Sequence, residues 1–381
     1  MTENQNALKQ LLGQGQSPWI DNITRDMLAG GELKRLIDAG IVGLTSNPTI
    51  FQKAIGGSEL YDDELRGLVR EDKSIDEIYD RLILDDIRNA ANTLRPVYDR
   101  TNGGDGYVSI EVPPRLAHET EKSFAEAQRL FKYLNLPNIM VKIPGTPEGI
   151  PAFQRAISQG ININVTLVFS LENYRAVANA YIDGLTARRN AGQPIERIAS
   201  VASFFVSRVD TAVDKRLDAK IAEAGDDHRK QELRKLKGKA AIANAKLAYA
   251  AFKEIFSGSK WEALAAKGAK PQRCLWASTS TKNPEYRDVL YVEQLIGKDT
   301  VDTMPPKTID ALMEHGDVQP TLDRELQRAR DELAELERAG VSMDEVTDQL
   351  QRDGVRLFSE SFEELMNTIS SKREEMLSHA G

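Results

Sequence analysis

The fold class predicted by this sequence is a (β/α)8 barrel. Three observations carry it: short β-branched runs recur eight times along 381 residues, turn residues close each run, and helical periodicity fills the intervals. An open, doubly wound parallel sheet is the alternative, and eight strand-helix units favour closure over it. With 41% hydrophobic and 28% charged residues, the chain can bury a sizeable core in one large domain or two.

Taken in order, the first strand is expected near 18–22 (PWIDN) and the second near 41–46 (IVGLTS), where Asn47-Pro48 supplies a turn. An amphipathic helix over 74–94 leads to Gly103-Gly104-Asp105-Gly106, which precedes a strand and so reads as a turn rather than a phosphate loop. The third strand lies near 107–112 (YVSIEV), and a helix over 118–134 connects it to the fourth at 139–143 (IMVKI), which Pro144-Gly145 closes. A fifth strand at 161–169 (ININVTLVF) and a helix at 171–191 precede the sixth at 198–206 (IASVASFFV). The interval 207–272 is too long for one crossover helix and predicts a helical insertion. Its basic run from Arg229 to Lys239 reads as a solvated helix face in preference to a partner-binding patch. The seventh and eighth strands fall near 274–279 (CLWAST) and 299–303 (DTVDT). Beyond Pro320 the composition turns to charged helix, with Leu322, Leu326, Ala329, Leu333 and Leu336 on one stripe. Gly340 ends that helix, Ser342 and Glu345 restart one as a capping box, and Phe358, Phe362, Leu365 and Ile369 give it an apolar face. The expected organisation is a barrel over 1–319 and a helical extension over 320–381, packed on the barrel or on a second subunit of a homo-oligomer.

A net charge of -8 and a pI near 5.3 leave no overall positive field for nucleic acid or an anionic membrane, so an anionic substrate must meet local cations. The single cysteine, Cys274, rules out an internal disulfide framework and fits a reducing compartment. Residues 1–17 are polar, with no apolar signal core, and no stretch approaches the roughly 20 apolar residues that span a bilayer, so a cytoplasmic protein is expected. His118, His228, His315 and His379 are scattered without metal-ligand spacing, and no metal is expected.

Lys142 is the most informative residue, an ammonium carried into a strand that otherwise reads as core. Burying it unpaired costs several kcal/mol or more. Low polarity favours the neutral amine, the form that attacks a carbonyl to make a Schiff base; the alternative is a lysine that pairs with a carboxylate or snorkels from an edge strand. Side chains alternate faces along a strand. The parity that points Lys142 inward also points Asp21, Asn47, Glu111, Asn164, Thr166, Ser203 and Phe205 inward. Singly these have plain explanations: Asp21 caps a helix, Asn47 builds a turn, Glu111 is the partner of Lys142. Jointly, so many inward polar groups would burden a core with hydrogen bonds to satisfy, whereas the carboxyl ends of barrel strands are where chemistry sits. As a carbonyl-condensing site, Lys142 attacks a ketone and Glu111 moves protons through a water held by Thr166. Asp21 takes a proton from a substrate hydroxyl so that a carbon-carbon bond breaks, and Asn47, Asn164 and Ser203 orient hydroxyls. An anionic end, best fitted by a phosphate, is within reach of Arg208 and Lys282.

These residues lie in blocks that resemble the transaldolase family: SNPTIF at 46–51, SIEVPPRLAHET at 109–120, VKIPGTPEGI at 141–150, GININVTLVFS at 160–170, SFFVSRVD at 203–210 and WASTSTKNP at 276–284. The insertion before strand seven and the C-terminal helices are similar to the longer bacterial members. The resemblance implies a cofactor-free enzyme of the non-oxidative pentose phosphate pathway. It would move a dihydroxyacetone unit from sedoheptulose 7-phosphate to glyceraldehyde 3-phosphate, giving erythrose 4-phosphate and fructose 6-phosphate. It implies Lys142 as the Schiff-base lysine, Asp21 as the carbon-carbon acid/base, and Glu111 as the glutamate acting through water, with Asn47, Asn164, Thr166, Ser203 and Phe205 around the substrate. Arg208 matches the first phosphate-binding arginine and Ser278 the phosphate-binding serine. The second arginine is missing, and Lys282 stands in for it without the bidentate fork. The rival activity is a Schiff-base aldolase that releases free dihydroxyacetone; a barrel kept as a binding or scaffold module is the non-enzymatic rival.

Overall fold

The computed structural model describes residues 6–378. His379, one of the scattered histidines, and the first five residues of the polar N-terminus lie outside the described residues.

Eight parallel strands close into a barrel in chain order: β1 (Gln16–Asp21), β2 (Leu44–Thr45), β3 (Val108–Glu111), β4 (Ile139–Pro144), β5 (Ile163–Val168), β6 (Ser200–Phe205), β7 (Arg273–Ala277) and β8 (Thr300–Met304). Pairing of β8 with β1 completes the ring, so the open-sheet alternative is excluded. Each expected strand is present with its ends moved, and the largest changes have local causes. At the start of β2, a side chain on Gly43 would come within 2.3 Å of the Trp19 ring, and at its end Asn47 already caps the helix Pro48–Gly56. Leu167 takes a left-handed φ of 59° where the β5–β6 register shifts, a bulge that ends the regular alternation just after Thr166. Ser278, φ 56°, turns the chain out of β7 sooner than expected. The helix expected over 74–94 instead continues to Arg100 through Pro96. Proline removes one backbone donor, yet Val97 and Tyr98 carry on the buried face begun by Leu94.

The barrel is plugged at its amino-terminal end by Trp19 and Asp105. Asp105 accepts from Trp19 Nε1 (3.1 Å), Ser17 Oγ (2.7 Å) and an Arg273 guanidinium nitrogen (2.9 Å). The inward polar residues lie at the opposite end, at the carboxyl termini of the strands.

The insertion between β6 and β7 comprises the helices Ser207–Glu223, Asp227–Lys235, Ala240–Ile255 and Ser259–Ala265. Its basic run is largely neutralised by carboxylates, Lys237 pairing with Asp218 at 2.7 Å and Arg229 with Glu232 at 3.3 Å, as a solvated face requires. The helix Leu326–Arg338 packs on Ala240–Ile255, and the long helix Met343–Ser378 lies across Pro48–Gly56. Phe358, Phe362, Leu365 and Ile369 are buried within the single chain.

Candidate active site

Parallel register fixes one row of chemistry: Glu111 on β3 pairs with Lys142 on β4, and Lys142 pairs with Asn164 on β5. Neighbouring strands thus present these side chains at one level of the interior. Lys142 Nζ lies 3.1 Å from Glu111 Oε2 and donates to the Ser46 carbonyl at 3.0 Å. Glu111 is held to Lys142 by this charge pair alone, and its other oxygen, Oε1, and buried Thr166 Oγ1 have no hydrogen-bond partner. Glu111 Oε1 and Thr166 Oγ1 are thus left free to bind a water near the amine. Burial pushes the Glu111 carboxyl above its ordinary range against the pull of Lys142, and the charge of Asp21 adds to the rise.

Above Lys142 opens a cavity of about 360 Å³, so the amine has space for a ligand on the side away from Glu111. Asp21, Asn47, Thr166, Ser203, Phe205, Arg208, Ser278 and Lys282 all line it, together with Lys142. Asp21 Oδ1 accepts from Thr45 Oγ1 at 2.7 Å. Burial raises its carboxyl too, opposed by Lys142, by the Thr45 hydrogen bond and by the charges of Arg208 and Lys282. Asn47 does both things its position allows: its oxygen caps the helix Pro48–Gly56 by accepting from Ile50 N at 3.1 Å, while the residue forms part of the cavity wall.

Two expected residues do not reach that wall. Asn164 is fully buried behind Ser203, accepting from Ser203 Oγ at 2.7 Å and donating to Ser109 Oγ at 3.1 Å, so it orients Ser203 rather than facing the cavity. Glu111 pairs with Lys142 at 3.1 Å and does not line the cavity.

At the far end, Arg208 lies 5.2 Å from the Phe205 ring and 5.8 Å from the Phe358 ring, and Lys282 Nζ donates to Ser280 Oγ at 2.7 Å. Burial lowers the basicity of both; for Lys282 the nearby charges of Arg208 and Lys53 lower it further. Sequence reasoning missed Lys53, Ser280, Thr303 and Phe358 on the wall. Lys53 had a usable signal, since it follows Asn47 and Ile50 at helical spacing. Phe358 had none, coming from the distant C-terminal helix. Among the described residues no cluster of histidine, cysteine and carboxylate side chains could hold a metal, and no helix is long and apolar enough to cross a membrane.

A cavity that offers a lysine and the raised carboxyl of Asp21, with the raised carboxyl of Glu111 behind the lysine and cations at the far end, suits carbon-carbon bond chemistry on an anionic carbonyl compound. The family model described as transaldolase/fructose-6-phosphate aldolase matches residues 18–369. A protein named transaldolase from Trichodesmium erythraeum is 48% identical over 370 residues, covering 96% of this chain and 97% of its own. Proteins of the same name from Thiobacillus denitrificans (47% over 365 residues, 96% and 99% covered) and Thermobifida fusca (48% over 367 residues, 96% and 98% covered) are similar to the same extent.

Proposed function

The chain belongs to the transaldolase/fructose-6-phosphate aldolase family, and we infer from that membership and from its site that it is a transaldolase working through a lysine Schiff base. It transfers a dihydroxyacetone unit from sedoheptulose 7-phosphate to glyceraldehyde 3-phosphate, a reaction of the non-oxidative pentose phosphate pathway. The observation that carries the reading is Lys142 held between buried Glu111 and an open cavity whose far end bears Arg208 and Lys282.

In this reading Lys142 attacks the ketone of the donor sugar. Glu111, acting through a water between its oxygens and Thr166 Oγ1, delivers the proton that lets the carbinolamine lose water. The iminium then draws electrons from the adjacent carbon-carbon bond as Asp21 removes the proton of the β-hydroxyl. An aldehyde departs and a three-carbon enamine stays on the lysine. The enamine carbon attacks an acceptor aldehyde, whose oxygen takes the proton back from Asp21, and hydrolysis of the new iminium frees the product. Asn47 and Ser203 orient the sugar hydroxyls, with Asn164 holding Ser203. Phe205 bounds the chain beside them. Arg208, Ser278 and Lys282 bind the phosphate, Lys282 as a point charge in place of a guanidinium fork. We assign residues 1–319 to the catalytic unit and 320–381 to an extension of it. The lone Cys274 and the bacterial relatives support a cytoplasmic enzyme, and a homo-oligomer fits the reading equally with a monomer.

Borohydride reduction in the presence of fructose 6-phosphate, followed by peptide mass analysis, tests this reading. A three-carbon adduct is expected on Lys142 and none on the Lys142→Met variant, while Asp21→Asn accumulates a six-carbon adduct because cleavage stalls. An adduct elsewhere, or a three-carbon adduct formed normally by Asp21→Asn, overturns the corresponding assignment. Turnover of fructose 6-phosphate with dihydroxyacetone set free at the full rate without an acceptor would instead make the protein an aldolase.

A further inference from the structure

The C-terminal helix Met343–Ser378 does more than cover apolar surface. One face of it is built to meet the rim of the barrel beside Lys142. Gln351 Nε2 donates to the carbonyls of Gly145, just beyond β4, and of Leu167, in the bulge near the end of β5, at 3.1 and 3.3 Å. One turn on, Gly354 packs directly on Leu167, and a side chain there would come within 2.8 Å of the Leu167 Cδ2 methyl. Leu167 is itself the left-handed residue of the β5 bulge, so strand and helix are shaped to each other at this point. Ser361 accepts from Thr49 Oγ1 at 2.8 Å on the helix that Asn47 caps. Between these anchors stands Phe358, four residues after Gly354 and therefore on the same face. The residue is 6% exposed and lines the cavity, and its ring lies 5.8 Å from Lys142 Nζ and 5.8 Å from the Arg208 guanidinium.

We propose that Phe358 is the residue that commits the enamine on Lys142 to transfer, by holding water and proton donors away from the enamine carbon until an acceptor aldehyde fills the cavity. The inference rests on the transaldolase reading above. Two fates compete for the enamine. In transfer its carbon bonds to the acceptor's carbonyl carbon and the carbonyl oxygen takes a proton. In release the same carbon takes a proton from water, the resulting iminium adds water, and free dihydroxyacetone leaves Lys142 as the amine. Both end in hydrolysis, so they differ only in whether the carbon meets an aldehyde or a proton first. An apolar ring over the amine slows protonation selectively, because it removes water without removing any group used in bond formation. The ring also stabilises positive charge at Lys142 and Arg208 through its face, which does not distinguish the two fates.

The test is the partition ratio: dihydroxyacetone released from fructose 6-phosphate, with glyceraldehyde 3-phosphate drawn off by a coupling dehydrogenase, divided by the rate of transfer to erythrose 4-phosphate. Phe358→Ala is expected to raise this ratio about tenfold or more, and Phe358→Leu, which keeps apolar bulk, to stay near the original value. Gln351→Ala, which loosens the helix without altering the cavity wall, is expected to raise the ratio to a smaller extent and serves as the informative variant if Phe358→Ala does not fold. Each variant is first shown to form the reduced adduct on Lys142. A ratio unchanged in every variant that forms the adduct overturns the proposal while leaving the Schiff-base reading intact; failure of the original enzyme to form the adduct overturns that reading instead.

Discussion

At Asp21 opposing influences meet on one carboxyl. Burial raises its pKa and outweighs Lys142, the Thr45 hydrogen bond, Arg208 and Lys282, all of which lower it. An acid/base residue is most useful when it is poised near the working pH, and a raised carboxyl moves in that direction. The carboxylate form is the one that takes the substrate hydroxyl proton, so activity falls as pH drops through the raised pKa. Thr45 donates to Asp21 Oδ1 and thereby favours the carboxylate. Thr45→Val is therefore expected to move the acid limb of the kcat/KM profile to higher pH, leaving the alkaline limb in place. An unmoved acid limb would show that another group governs it. Asp21, Lys142, Thr166 and Ser203 are legible in the sequence because strand parity states which way each points, and all of them line the cavity. Parity gives direction but not depth, which is why Asn164 reads as a wall residue when its amide is consumed by Ser109 and Ser203.

At the scale of elements, the strands are legible because a buried parallel strand must be a short apolar run, and the closed topology follows from their number. What eludes the sequence is long-range: the plug at the amino-terminal end joins residues of β1 and β7 to the turn before β3, and the roof of the cavity comes from beyond residue 340. The segment after β7, which carries Ser278, Ser280 and Lys282, belongs to the same class. It has little regular structure, yet Tyr286 ties it to the insertion by donating to Asp214 Oδ2 at 2.5 Å. The ring seats on Gly238, where a Cβ would come within 2.8 Å of it, and Gly238 N donates to the other Asp214 oxygen at 3.1 Å. Removing the phenol leaves a part-buried carboxylate short of a partner, a loss of about 1–3 kcal/mol that falls on the anchoring of this segment. Tyr286→Phe is thus expected to raise KM for fructose 6-phosphate several-fold, with kcat nearly unchanged. A fall in kcat at constant KM would place Tyr286 in the chemistry instead of in the hold on Lys282.

The whole molecule carries a further electrostatic signature in Asp302 on β8, which faces away from the cavity into the strand-helix interface and has no solvent exposure. Its Oδ1 accepts from Thr279 Oγ1 at 2.9 Å, its Oδ2 has no partner, and burial pushes its carboxyl from 3.8 up to about 7. The sign of the linkage follows from that shift. Below pH 3.8 the group is protonated folded and unfolded alike. Between there and about pH 7 the unfolded chain gives up its proton while the folded one keeps it, so stability falls as pH rises, and it levels off above pH 7 with a cost on the order of 4 kcal/mol. Asp302→Asn is neutral at every pH and keeps an oxygen to accept from Thr279. Its melting temperature should match the original near pH 4 and exceed it by several degrees at pH 8, the gap opening through the range in which Asp302 ionises on unfolding. Asp210 supplies the contrast, because its carboxyl is also raised to about 7 but its oxygens accept from Ala241 N and from Tyr291 Oη. An amide there turns one acceptor into a donor aimed at the phenol or the backbone N–H, so Asp210→Asn should melt lower at both pH values. A pH-independent gain in Asp302→Asn would mean that the benefit comes from packing and not from the charge.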